Sequence, residues 1–311
     1  MRSIQLWQAA MPIVAVLSVG SPDVAAGRIS AFRKGLGETG YTEDRNVQVE
    51  YHWFEGQYQH LTVVLDDLIQ RHVAVMAIPG STPISLAAKS ATNTIPIVFG
   101  VGEDPVRLGL VTSFAQPGGN ATGINFFGIE TEAKRLGLMH DLLPKAASFA
   151  VLLNPSNPRY SEATSKSLSE AASTLGLDIV FYKASTPGEI DAAFTAMARA
   201  RADALFIGGE ALFASRSVQI ATLAVRDRLP ASFSSRETVQ AGLLMSYGIN
   251  LIDLARQVGI YTGSILKGAK PADLPVLQST KFEFVINLQT ARSLNLDIPP
   301  TLLARADEVI E

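Results

Sequence analysis

Short runs of Val, Ile, Leu and Phe alternate along this chain with longer stretches in which apolar residues recur at helical spacing. That alternation is the pattern of βαβ units and a parallel sheet. Strands are predicted at residues 13–18, 47–53, 73–78, 95–99, 149–153, 178–182, 204–207 and 243–246. Between them, Leu61, Val64, Leu65, Leu68 and Ile69 form one apolar stripe, and Ile190, Ala193, Phe194, Met197 and Ala198 repeat its spacing. Such stripes are made to cover the face of a sheet.

The strand and helix series occurs twice. The turn-forming stretch Gln116 to Thr122 separates the two and is the predicted first passage between domains. A long amphipathic helix carries Leu251, Leu254, Ala255, Val258, Thr262, Ile265 and Leu266, and is expected to stop at Gly268 before Pro271. The tail from Pro275 holds one more strand at 282–286 and a helix near 290–294. The fold class is therefore α/β, with two doubly wound parallel-sheet lobes. A length of 311 residues suits about two domains.

Composition narrows the function. The chain is 47% hydrophobic and 18% charged, as expected where strands are covered on both faces. Its formal net charge is -3 and no Lys/Arg block stands out, so no nucleic-acid partner is expected. The absence of cysteine excludes disulfides, thiolate metal sites and cysteine nucleophiles. No apolar run approaches the roughly 18 residues of a membrane span. Residues 1–10 hold one Arg and a broken apolar stretch, Ile4, Leu6 and Trp7, too short for a secretory core; they read as a tail or signal remnant.

Candidate chemistry gathers where the strands end. In the first half, Gly20-Ser21-Pro22, Gly80-Ser81-Thr82-Pro83 and Gly102-Glu103-Asp104-Pro105 each follow a predicted strand, the first one ending at Ser18, and are expected to open helices. Gly allows the sharp turn, Ser, Thr or Asp offers a capping oxygen, and Pro suits the first helical turn. Open parallel sheets bind ligands at this edge, where helix N-termini favour a carboxylate. Taken singly, each junction is equally well an ordinary cap.

The second half presents a matching rim. Asn154 and Asn157 with Tyr160, then Gly208-Gly209-Glu210, Ser234-Ser235-Arg236-Glu237 and Tyr247-Gly248 bring amide, carboxylate, guanidinium and phenol groups to one edge. Phe126, Phe127 and Phe213 add apolar surface, unless they pack in the core, and Arg236 with Glu237 also reads as a solvated pair. Such a mixture suits a zwitterion: an amino acid or similar carboxylate, aromatic or branched rather than a sugar. Ser81 and Thr82 would face its carboxylate, and Asp104, Glu210 or Glu237 its ammonium group.

Catalytic signatures fail when tested. Gly100-Val101-Gly102 begins like a dinucleotide fingerprint but carries Pro105 at its third glycine position. Neither a P-loop lysine nor a Gly-x-Ser-x-Gly elbow occurs. The 4 histidines, His52, His60, His72 and His140, form neither a zinc motif nor a tight cluster. No enzyme activity, metal or cofactor is expected.

On these residues the chain resembles the ABC-transporter substrate-binding protein family that includes tryptophan-binding lipoproteins, within the type I periplasmic-binding fold. The likeness runs through Gly20-Ser21-Pro22, Ile95 to Phe99 leading into Asp104-Pro105, Gln116 to Gly123, Arg236-Glu237, Ala241 to Gly248, and the closing Ile298 to Glu311. The resemblance implies three passages between lobes, placed near Thr122 to Asn125, Tyr247 to Ile249 and Pro271 to Pro275. Lobe 1 is then 11–123 with 249–272, and lobe 2 is 124–248 with 273–311. It implies an ABC permease and ATPase as partners, a monomeric receptor, and export to the periplasm or the membrane surface. The alternative is a cytoplasmic ligand-sensing domain of a regulator, although the stretch before residue 11 leaves no room for a DNA-binding helix-turn-helix.

Overall fold

The computed structural model describes residues 11–54, 58–126 and 128–311; residues 1–10, read above as a tail, and Phe127 lie outside them. The chain opens with β1 (Ile13–Ser18), α1 (Pro22–Glu38), β2 (Gln48–Trp53), α2 (Leu61–Gln70), β3 (Val75–Pro79), α3 (Thr82–Ala91), β4 (Ile97–Val101) and β5 (Ala121–Asn125). It continues through α4 (Gly128–Leu142), β6 (Ser148–Leu153), α5 (Pro158–Leu175), β7 (Asp178–Lys183), α6 (Pro187–Ala200) and β8 (Ala204–Ile207). Next come α7 (Ala211–Ser215), α8 (Ser217–Arg226), β9 (Ala231–Phe233), α9 (Arg236–Gln240) and β10 (Met245–Ile249). The last elements are α10 (Leu251–Leu266), β11 (Leu277–Gln278), β12 (Phe282–Asn287), α11 (Leu288–Ser293), α12 (Pro300–Leu303) and β13 (Glu308–Ile310).

These strands form two sheets. The first has 6 strands in the order β11-β5-β4-β3-β1-β2, all parallel, and the second has 7 in the order β13-β12-β10-β9-β8-β6-β7. In the second sheet only the β10 to β12 pair is antiparallel, among the described residues. Each sheet is buried on both faces, as the apolar strands require. Leu17, Met76 and Phe99 pack under α2 and α3 in lobe 1, while Val16, Ala77 and Val98 pack under α1 and α10. Lobe 2 repeats the scheme, with Phe149 and Phe206 on one face and Leu152 and Ile207 on the other.

Helix α10 lies after the second series yet covers the first sheet. It meets α1 through glycines: a Cβ on Gly35 would stand 2.0 Å from the Arg256 carbonyl oxygen, and one on Gly259 would stand 2.2 Å from that of Phe32. The helix ends as expected, with Gly268 at φ +100° and the Ala269 N–H bonded to the Ser264 carbonyl.

Several expectations need correction. Residues 121–125 form β5, a buried strand beside β4, and not a passage between lobes. A turn-rich prelude hid it, and Gly123 belongs there because a Cβ would stand 2.0 Å from the Phe99 carbonyl oxygen. The short strands β9, β11 and β13 also lie outside the predicted set. Residues 105–109 form turns and not a helix: Asp104 Oδ1 accepts the N–H groups of Val106 and Arg107, and the chain turns again at Gly109. Sheet membership puts the passages after Asn125, at Asn250 and across residues 279–281, because β11 still pairs with β5 while β12 pairs with β10. Among the described residues no helix is long and apolar enough to cross a membrane.

Candidate ligand-binding cleft

The carboxyl ends of the two sheets face one another across a cavity of about 160 Å³. Lobe 1 contributes Arg28 from α1, Tyr58, the turn Gly80-Ser81-Thr82, Glu103 after β4, and Phe126. Lobe 2 contributes Glu132 from α4, Asn157 and Tyr160 at the start of α5, Gly209-Glu210 after β8, and Ser234, Ser235 and Glu237 near α9.

Local chemistry fixes these groups. Gly80 takes φ +102°, which turns the chain out of β3, and Ser81 caps α3 by accepting the Ile84 N–H at 3.3 Å. Thr82 Oγ1 donates to Glu103 Oε2 at 2.5 Å, and Asn125 Nδ2 holds the Glu103 carbonyl at 2.8 Å. Across the cleft, Asn157 Oδ1 caps α5 while its Nδ2 donates to Glu210 Oε1 at 3.0 Å.

Beneath the lobe 2 wall lies a buried polar network. Arg135 and Glu132 form an ion pair with side chains 0% and 3% exposed, and Arg135 Nη2 also donates to the Ile207 carbonyl. The guanidinium lies 4.1 Å from the Phe206 ring centroid, and its Nε and Nη1 have no hydrogen-bond partner among the described residues. The Tyr160 hydroxyl donates to Glu132 Oε1 at 2.7 Å and accepts the Gly209 N–H at 2.6 Å. Burial pushes the Glu132 carboxyl up, against the pull of Arg135, Tyr160 and Gly209; the Tyr160 hydroxyl is pushed well above its ordinary value by burial and by Glu132.

Arg28 differs in kind. Its Nε is buried without a hydrogen-bond partner, and no carboxylate of the described residues lies within ion-pair distance. Burial lowers its pKa, and among the described residues Glu237, from the opposite lobe, works against that. Glu210 is pushed up to about 8, first by burial, then by Glu103 and Glu132, with Asn157 opposing. The cavity thus offers a cation without an ion-pair partner among the described residues, several carboxylates and aromatic walls. A molecule carrying a carboxylate, a cationic group and an apolar body answers all three.

Of the residues predicted from sequence, Gly80, Ser81, Thr82, Gly102, Glu103, Phe126, Asn157, Tyr160, Gly209, Glu210, Ser234, Ser235, Glu237 and Gly248 line the cavity. Ser18, Ser21, Asp104, Asn154, Phe213, Arg236 and Tyr247 lie off it. Ser18 accepts the Gly20 N–H, Ser21 begins α1 without a side-chain cap, and Asp104 folds its own turn. Asn154 Oδ1 accepts the Ser156 N–H, and Arg236 is paired with Glu308. Tyr247 stacks on Phe282 with Lys134 over its ring, and Phe213 is core. Sequence reasoning missed Arg28, Tyr58 and Glu132. For Arg28 and Glu132 a signal existed: each is a charge on the buried stripe of its helix, four residues before Phe32 and Leu136. Among the described residues no group of His, Asp or Glu could hold a metal.

Comparison with known proteins gives a consistent picture. A family model described as ABC transporter substrate binding protein matches residues 13–310. A tyrosine-binding protein of Clostridioides difficile (strain R20291) is 28% identical over 267 residues, which are 85% of this chain and 75% of that one. The structure of an ABC domain in complex with L-Trp from Streptococcus pneumonia superposes with a TM-score of 0.87 at 25% identity, over 97% of this chain and 100% of that one. A conserved domain protein of Vibrio cholerae gives 0.85 at 27% identity, covering 96% and 99%. A LacI family regulator from Bifidobacterium animalis shares the fold alone, at 12% identity and a TM-score of 0.59, so the regulator reading is not favoured.

Proposed function

We infer the function from one premise: the chain belongs to the ABC transporter substrate binding protein family. It captures an amino acid, with an aromatic side chain preferred, in the cleft between its lobes, and delivers it to a permease and ATPase. The observation that carries this reading is Arg28, a cation facing the same cavity as Glu210 and Glu237 while paired with neither. A ligand carboxylate supplies the missing counter-ion, with help from the N–H groups at the start of α3. Tyr58, Phe126 and Phe233, which also line the cavity, offer surface for a ring. The tyrosine-binding relative and the L-Trp complex support the same class of ligand.

The protein acts as a monomer outside the cytoplasmic membrane, in the periplasm or at the membrane surface, and turns nothing over. Micromolar binding needs only about -8 kcal/mol, within reach of a charge pair and a buried ring. A thermal-shift and calorimetric screen of amino acids, aromatic acids and sugars tests the reading. Stabilisation by L-tyrosine or L-tryptophan, recovered chemically unchanged, is expected; a sugar as sole stabiliser, or conversion of the bound molecule, overturns it.

A further inference from the structure

The charges that face this cavity are divided between the lobes in two cross-cleft pairs of opposite character. Arg28 of lobe 1 and Glu237 of lobe 2 attract. Glu103 of lobe 1 and Glu210 of lobe 2 repel. Neither member of the second pair is free to turn away, since Thr82 holds the Glu103 carboxylate and Asn157 holds that of Glu210. Bringing the lobes together therefore brings two fixed carboxylates toward each other in a cleft that loses water as it closes.

We propose that the ligand's ammonium group sits between Glu103 and Glu210, and that this pair makes closure of the lobes conditional on a positive charge there. The inference rests on the amino-acid reading above and adds to it which acids read the ammonium group and how that reading is converted into motion.

Among the described residues, no cation is among the groups that act on Glu210. Glu132 from α4 adds repulsion, and its partner Arg135 is spent on it. Tyr160 from α5 and Tyr58 ahead of α2 face Glu210 as neutral hydroxyls, both pushed up partly by its charge. Arg28 and Glu237 line the same cavity, where Glu237 acts on Arg28. With the lobes together, Glu210 is raised to about 8. In an open cleft, solvated and away from Glu103, a glutamate titrates at about 4.3. Closing an empty cleft at neutral pH thus takes up a proton, whereas closing on an ammonium group does not. A ligand shifts the equilibrium only through such a difference between the two states.

Small-angle scattering on the full chain tests this without assuming a ligand. Above about pH 8, where Glu210 is charged even in the closed form, the ligand-free wild type should be expanded. Glu210→Gln, which keeps an acceptor for Asn157, and separately Glu103→Gln should contract without ligand, with circular dichroism confirming that both are folded. The ligand-free wild type should also contract on acidification. With L-tyrosine against 3-(4-hydroxyphenyl)propionate, its analogue lacking the amino group, the wild type should prefer tyrosine by about tenfold or more, and Glu210→Gln should lose most of that preference. Folded variants with wild-type dimensions at every pH, or closure of the wild type by the analogue as readily as by tyrosine, overturn the proposal. If no amino acid binds while the variants still contract, the amino-acid reading falls and the role of the pair in closure stands.

Discussion

The hydroxyl of Tyr160 donates to Glu132 at 2.7 Å while accepting the Gly209 N–H at 2.6 Å, and so ties the start of one helix, the middle of another and the end of β8 into one unit. This matters for binding because Glu210, which reaches into the cleft, directly follows the tied glycine. A ligand group that meets Glu210 meets a side chain whose backbone is already fixed, and pre-set groups lose less freedom on binding.

Breaking that unit should cost stability as well as affinity. Glu132→Ala leaves the fully buried Arg135 without its counter-ion, and losses of about 3–5 kcal/mol are typical when one partner of a buried pair is removed. Tyr160→Phe removes only the hydroxyl, and the Gly209 N–H keeps its longer bond to Glu132 Oε1 at 3.3 Å, so the loss should be smaller, about 0.5–1.5 kcal/mol. Urea unfolding of the three proteins should rank them wild type, Tyr160→Phe, Glu132→Ala in falling stability.

Arg28 should behave in the opposite way. It is held in the cleft without an ion-pair partner among the described residues, so its replacement by Met should leave the ligand-free protein as stable as wild type or more so. Affinity for L-tyrosine or L-tryptophan should fall by about 10- to 100-fold, the worth of a hydrogen bond to a charged group. Calorimetry and a thermal melt on the same sample separate the two effects. A drop in stability with unchanged affinity would assign Arg28 to the scaffold.

The framework of this molecule was legible because most of its strands are apolar enough to be buried on both faces, as Val14 to Leu17 and Leu205 to Ile207 are. What escaped was set by neighbours rather than by local pattern. The strand at Ala121 to Asn125 has a Gly at its centre and follows a Pro-Gly-Gly turn, so its own residues argue for a loop; a place beside β4 decides otherwise. The rim was legible where function rides on turn chemistry, as at Gly80 to Thr82 and Asn157. At Arg28 and Glu132 the sequence shows only a charge on the buried stripe of a helix, and only tertiary structure shows what it meets. Arg236 and Tyr247 lie in the right stretch of chain, but the C-terminal strand and Phe282 engage them first.

The raised Glu210 carboxyl predicts different pH profiles for two ligands. Tyrosine brings its own cation, so its affinity should be flat from about pH 6 to 8, with its amino group charged throughout. The analogue without the amino group closes the cleft only with Glu210 protonated. That protonation is fully available below the open-form value and is lost as pH rises through about 8. The analogue should therefore weaken by up to about tenfold per pH unit across that window, with proton uptake visible as a buffer-dependent heat. In Glu210→Gln the slope should vanish. Equal slopes for both ligands would mean that some other group titrates.

The last prediction concerns Asn250, which stands at the second passage and touches the third. Its Oδ1 caps α10 by accepting the Asp253 N–H at 2.6 Å, its Nδ2 donates to Glu283 Oε1 at 2.6 Å, and its own N–H bonds the Lys281 carbonyl at 3.0 Å. Lys281 reaches back to Asp253 at 2.9 Å, so a helix of lobe 1 and a strand of lobe 2 are joined through adjacent passages. Asn250→Ala loses the cap and the donor to Glu283, a change of about 1–2 kcal/mol that should depend little on pH. Asn250→Asp keeps the capping oxygen but sets a second carboxylate against Glu283, whose own carboxyl burial already pushes up. The penalty of the Asp variant should thus be largest near neutral pH, where both groups are ionised, and shrink as the solution is acidified through the carboxyl range. Melting temperatures of the two variants against pH decide it: parallel curves would show that Glu283 does not sense residue 250, and curves that converge on acidification would show that the hinge is joined through this contact.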